Sequence, residues 1–109
     1  MTSNKVFKAL ADPTRRRVLA LLRGGALTAG ELSDQFPVSK PTMSAHFAVL
    51  QKAGLIEAEK IGRTIYYRVK MSVLEEALLG FADAMGIDAA SEGASRSKRA
   101  KQALRRGEA

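Results

Sequence analysis

A mainly α domain with one small β-hairpin is the fold this sequence predicts, in the order four helices, two strands, one last helix. Three observations predict it. Residues 28–54 read as two short helices joined by a tight turn. Residues 55–69 alternate apolar and polar side chains in two runs around a glycine, the period of half-buried strands. Leu74, Leu78, Phe81 and Met85 then recur at i, i+4, i+7 and i+11, which is one stripe of a helix.

The first helix is expected over residues 4–10, where Val6, Phe7 and Leu10 share one side. That is more apolar surface than so short a helix buries alone, so it is expected to pack late in the chain or on a partner. Asp12 and Pro13 make a favourable N-cap and N1 pair: the carboxylate accepts a free amide of the first turn, and proline has no amide to leave unpaired there. Val18, Leu19, Leu21 and Leu22 supply core to this second helix, and Gly24 and Gly25 stop it. Its basic run, Arg15 to Arg17, has two readings. It is a solvated face, or it makes phosphate contacts, with Arg16 the candidate, that position a protein beside DNA without reading sequence.

Thr28 and Glu31 have capping-box spacing, so a short third helix begins near Ala29. Phe36 and Pro37 end it, since the proline ring removes a donor and pushes the preceding residue out of helical geometry. Ser39 caps a fourth helix, with Lys40 and Pro41 in its first turn, where a missing N–H costs little. Met43, Phe47 and Leu50 fall on one stripe of that helix. Ser39, Lys40, Thr42, Ser44 and His46 fall off it, near the N-terminal end, with Pro41 among them. Such an end suits insertion into a major groove, where hydroxyls donate or accept at base edges and apolar parts touch thymine methyls. A solvated helix end fits the same pattern.

Gly54 closes the fourth helix and Leu55 opens the hairpin. Ile56 and Ala58 alternate with Glu57 and Glu59, and Ile65, Tyr67 and Val69 alternate with Thr64, Tyr66 and Arg68. Lys60, Ile61, Gly62 and Arg63 are expected to form the loop, with Gly62 supplying a positive φ. After a helix-turn-helix such a hairpin reads as a wing, with Arg63, and Lys60 beside it, at an adjacent minor groove. Charged hairpin tips also occur on any surface. Ser72 and Glu75 make a second capping box, opening the last helix over residues 73–85. Val73, Ala77, Ala82 and Ala84 widen its stripe beyond what a lone exposed helix carries.

The folded domain is expected to span residues 1–88, with residues 89–109 a flexible basic tail. Residues 91–109 hold six basic and two acidic side chains of a chain whose net charge is +7, so the body is only mildly basic. A polybasic arm tracking phosphate and a solubilising end both fit the tail. A chain of 109 residues, 46% hydrophobic, makes one small domain, and small domains gain from dimerisation. Neither a leader peptide nor membrane insertion is expected. The lack of cysteine excludes a disulfide framework and thiol chemistry, and fits a cytoplasmic protein. A single histidine and no phosphate-binding glycine loop leave no constellation of nucleophile, base and orienter. Neither an enzyme nor a cofactor is therefore expected.

The run ELSDQFPVSKPTMSAHFAVLQKAGLIE is similar to the DNA-binding core of the ArsR family of bacterial winged-helix repressors. FKALADPTRRRVLALL resembles that family's first two helices and GRTIYYRV its wing, so the resemblance covers residues 5–86. ADPTRR, LTAG, SKPTMSAH and the tandem IYY are most similar to its sporulation-delay type of autorepressor, a branch without thiol metal ligands. The resemblance implies a winged helix-turn-helix homodimer whose first and last helices form a twofold seam. Val6, Phe7, Leu10, Leu74, Leu78, Phe81 and Met85 then lie in that seam or beneath it. It places His46 at the family's recognition-helix histidine and implies double-stranded DNA as partner. Where metal-sensing relatives have a thiol site this chain has Ser33, Asp34 and Gln35, and its last helix offers only Glu75, Glu76, Asp83 and Asp88. Without histidine or cysteine ligands, no metal site is expected.

The expected function is a sequence-specific repressor acting as a homodimer on a pseudo-palindromic operator. The branch it resembles implies autoregulation and relief by a sequestering protein. Two other readings stay open: a winged-helix protein-interaction module without specific DNA binding, and a metal- or ligand-responsive sensor.

Overall fold

The computed structural model describes residues 2–87. The expected boundary at residue 88 and the basic tail over residues 89–109 lie outside the described residues. The elements run α1 (Thr2–Leu10), α2 (Pro13–Leu22), β1 (Leu27–Thr28), α3 (Ala29–Ser33), α4 (Lys40–Lys52), β2 (Ile56–Ile61), β3 (Thr64–Val69) and α5 (Met71–Ala84). Among the described residues, those up to Leu74 form one compact unit and those from Glu75 to Ile87 belong to a second.

Local hydrogen bonds fix where the helices of the first unit begin. The Asp12 carboxylate accepts from the Arg15 amide at 3.0 Å, with Pro13 opening α2. The capping box at α3 is complete: the Glu31 amide donates to Thr28 Oγ1 at 3.0 Å and the Thr28 amide to Glu31 Oε1 at 2.9 Å. Ser39 Oγ accepts from the Thr42 amide at 3.3 Å and starts α4. Each cap contributes about 1 kcal/mol. At the far end of α4, Gly54 turns the chain away with φ 75°, a left-handed conformation that glycine adopts without a Cβ clash.

With its ends set, α4 can pack along its length, and it meets α1, α2 and β2. Met43 and Leu50 are fully buried, and Phe47 stacks on Tyr67 with ring centroids 4.8 Å apart and planes tilted by 38°. Val6, Val18, Leu22, Leu32 and Leu55 complete this core, and among the described residues no polar or charged side chain is buried. The Tyr67 phenol counts with the apolar set here, and its burial pushes its pKa up.

The strands differ from expectation in two ways. First, the sheet has three strands in the order β1-β3-β2, because Leu27 and Thr28 pair with Tyr67 and Tyr66. Second, the hairpin is longer than its alternation predicts. Lys60 pairs with Ile65 and Ile61 with Thr64, so only Gly62, at φ 63°, and Arg63 form the turn. Burial also fades along it: Ile56 and Tyr67 are buried, whereas Ala58 is exposed and Ile65 and Ile61 are 40% and 57% exposed. The hairpin therefore roots in the core and projects from it.

The last helix starts earlier than its expected capping box. Lys70 donates its amide to the Leu55 carbonyl at 2.7 Å and accepts from the Val73 amide at 3.2 Å, turning the chain into α5 directly off β3. Ser72 consequently lies inside the first turn of α5 instead of ahead of it. Beyond Glu75 this helix buries Ala77 and Ala82, while Leu78, Leu79, Phe81 and Met85 are 48%, 49%, 54% and 62% exposed.

Candidate nucleic-acid interface

The burial of Met43, Phe47 and Leu50 leaves the opposite side of α4 in solvent, and Ser39, Lys40, Pro41, Thr42 and Ser44 are all exposed there. Ser39 donates its hydroxyl to Thr42 Oγ1 at 2.9 Å. A hydroxyl has one hydrogen and two lone pairs, so Thr42, already accepting from Ser39, keeps its own hydrogen to donate outward. Guanine N7 and O6 and thymine O4 are acceptors of that kind in a major groove. Lys40, in the first turn, adds a charge suited to phosphate or to guanine. Ala45 and Ala48 are exposed on the same side, and their methyl groups suit thymine methyls. Sequence reading passed over both because alanine sets no hydropathy pattern, although the step from Pro41 to Ser44 and Ala48 would have shown them.

His46 is placed differently from its neighbours. Its side chain is only 16% exposed and turns toward the start of α2, with Nδ1 3.2 Å from Arg15 Nη1 and 3.9 Å from Asp12 Oδ2. Arg15 also donates from Nε to the Ala9 carbonyl at 2.7 Å and from Nη2 to the Lys8 carbonyl at 3.0 Å. Arg16 donates from Nη1 to the Leu10 carbonyl at 2.8 Å. Carbonyls at a helix C-terminus lack intrahelical partners and attract cations, so these two arginines cap α1. Arg16 remains exposed, with further N–H groups for an external acceptor. The capping role was not visible in the basic run, which gives no sign of which carbonyls lie beside it.

The Arg15 amide bonded to Asp12 holds that carboxyl below the usual carboxylate range, with the charges of His46 and Arg15 acting in the same direction and desolvation opposing them. A carboxylate with a lower pKa in the folded state contributes stability that is present above about pH 4 and is lost as pH falls through the folded value. Asn caps about as well as Asp but does not titrate. Asp12→Asn is therefore expected to flatten the fall in thermal stability below about pH 4, as read from melting curves over an acid series. An unchanged slope would show that this carboxylate is not part of the acid response.

At the hairpin, Glu59 lies 3.6 Å from Arg68 and Glu57 3.9 Å from Lys70, each side chain about half exposed. Such pairs contribute little to stability, but they offset the acidic charge along the hairpin. Among the described residues Lys60 and Arg63 take part in no ion pair, and both are exposed near the tip. No three His, Asp or Glu side chains come together among the described residues, and no described helix is long and apolar enough to cross a membrane.

Comparison with known proteins bears on this arrangement. Residues 10–59 match a helix-turn-helix domain family. The transcriptional repressor SdpR of Bacillus subtilis (strain 168) is 44% identical over 75 residues, 69% of this chain and 83% of that protein. A crystal structure of an ArsR family transcriptional regulator superposes with a TM-score of 0.72 at 32% identity, covering 78% of this chain and 87% of that one. The chain belongs to the ArsR family. A further neighbour is the homodimeric winged helix-turn-helix DNA-binding domain (fragment 1-100) of Mb0332 from Mycobacterium bovis, named as a possible ArsR-family transcriptional regulator, with a TM-score of 0.64 at 30% identity, covering 76% of this chain and 78% of that one. In ArsR-family terms α3 and α4 are the helix-turn-helix and β2–β3 the wing. The expected family and winged fold are both found, with β1 as the addition.

Proposed function

We propose that this ArsR-family chain is a sequence-specific repressor that binds a pseudo-palindromic operator as a homodimer, its own promoter included. The carrying observation is α4, anchored on one side by buried Met43, Phe47 and Leu50 and open on the other at Lys40, Thr42 and Ser44. Two copies of α4 would enter successive major grooves roughly 34 to 36 Å apart. Ser39 and Pro41 flank those contacts, Arg63 and Lys60 at the wing tip are assigned to the adjacent minor groove, and Arg16 to phosphate. His46 supports α4 from behind.

The half-exposed Leu78 and Met85 of α5 support the dimer, since apolar side chains of this size left open mark an interaction face, and Phe81 on the same helix is assigned with them. Leu74 of α5 and Phe7 and Leu10 of α1, each partly buried, are assigned to the same seam, with fully buried Val6 beneath it. Repression of this kind needs no chemistry: a bound dimer in the cytoplasm occludes polymerase. Release by a sequestering protein belongs to the same proposal.

Selection from a randomised duplex pool, followed by footprinting, tests the reading. The expected product has two inverted half-sites about one helical turn apart, and sedimentation at micromolar concentration is expected to give twice the 11.7 kDa of one chain. Enrichment of no duplex would remove the DNA reading, and a monomer would remove the dimer.

A further inference from the structure

The chain has one histidine, and the structure ties it to two oppositely charged groups at once. Arg15 Nη1 lies 3.2 Å from His46 Nδ1, and Asp12 Oδ2 lies 3.9 Å from the same nitrogen. A guanidinium nitrogen only donates, so the shorter contact needs a lone pair on Nδ1 and puts the ring hydrogen on Nε2. Arg15 is itself fixed by the Ala9 and Lys8 carbonyls of α1, and Asp12 by the Arg15 amide. His46 is thus the point at which α4 is bonded to a framework made by the end of α1 and the start of α2.

We propose that Arg15 and His46 are positioning residues for base reading: the hydrogen bond between them sets the rotation of α4. The inference rests on the DNA-binding role of α4. The charged groups facing the ring are Asp12, the N-cap of α2, and Arg15 in its first turn; α1 contributes backbone carbonyls, and the α4 residues one turn away, Thr42, Met43, Val49 and Leu50, are uncharged. Because Arg15 is held by its two carbonyl bonds, a side chain at position 46 that offers it no acceptor leaves α4 free to rotate against it. Ser44 and Ala45, within two residues of His46 on the open side, are displaced from the bases. Phosphate contacts tolerate such a shift better than base contacts do, because they position without specifying.

The test measures the ratio of affinity for a duplex enriched by the wild-type protein to affinity for a random duplex of equal length, at fixed salt. Fluorescence anisotropy gives both affinities. His46→Leu, which offers Arg15 no acceptor, is expected to lower the ratio about tenfold, the equivalent of one charge-assisted hydrogen bond, with random-duplex affinity unchanged within about twofold. His46→Gln, whose side-chain oxygen accepts from Arg15, is expected to keep the wild-type ratio. Should His46→Leu fail to fold by circular dichroism, Arg15→Met, at the other end of the same bond, takes its place. A wild-type ratio in His46→Leu, or a low ratio in His46→Gln, overturns the inference while leaving DNA binding intact. A wild-type protein that enriches no duplex removes both.

Discussion

Phe47→Ala is expected to cost about 3 to 5 kcal/mol of stability, a large share of the roughly 5 to 15 kcal/mol that holds a domain together. The ring is only 3% exposed and lies 4.8 Å from that of Tyr67, so truncation leaves a cavity between α4 and the sheet that neither can close alone. The effect spreads because α4 is also packed on α1 and α2. Urea denaturation followed by circular dichroism measures it as a lower midpoint with little change in slope. A loss below about 1 kcal/mol, against the usual cost of emptying such a site, would mean that α4 is not anchored by this ring, and the rigid presentation of its outer side would lose its basis.

The double variant Thr42→Ala and Ser44→Ala is expected to lower affinity for the selected operator about hundredfold, since each good base contact discriminates by about 1 to 3 kcal/mol. Folding should not change. Both side chains are exposed, the Thr42 amide keeps its bond to Ser39 Oγ, and alanine is the better helix former. Random-duplex affinity is expected to stay near wild type, because Lys40, Lys60 and Arg63 remain. Anisotropy titrations on both duplexes, with melting temperatures in parallel, give the comparison. Full operator affinity in the double variant would move base reading away from this end of α4.

What could be read from the sequence alone follows the range of the interactions involved. The caps at Asp12, Thr28 and Ser39 were legible because each joins a side chain to an amide three residues on, and the same spacing exists in the unfolded chain. The Met43, Phe47 and Leu50 stripe was legible because a helix repeats every 3.6 residues. By contrast β1 has two residues, too few for any period, and its existence depends on Tyr66 and Tyr67 nearly forty positions later. The extent of the hairpin was misjudged because Lys60 and Ile61 look like loop by composition, while cross-strand hydrogen bonding is indifferent to side-chain type. Ser72 looked like a cap, yet the Lys70 to Leu55 bond had already started the helix. The candidate interface was half legible. Its polar end was plain from the pattern, but the inward turn of His46 depends on Arg15, 31 residues away in sequence.

The sheet order leaves β2 at one margin, so among the described residues no strand satisfies the outer row of its backbone groups. A bare margin of this kind is a template on which another molecule's strand can add, the first step toward fibres. Glu57, Glu59 and Lys60 place charge along it, and stacking a second copy in register would bring like charges together. Two acids kept on the hairpin of a chain with net charge +7 weaken its pull on a polyanion, and in exchange they work against edge-to-edge pairing of copies.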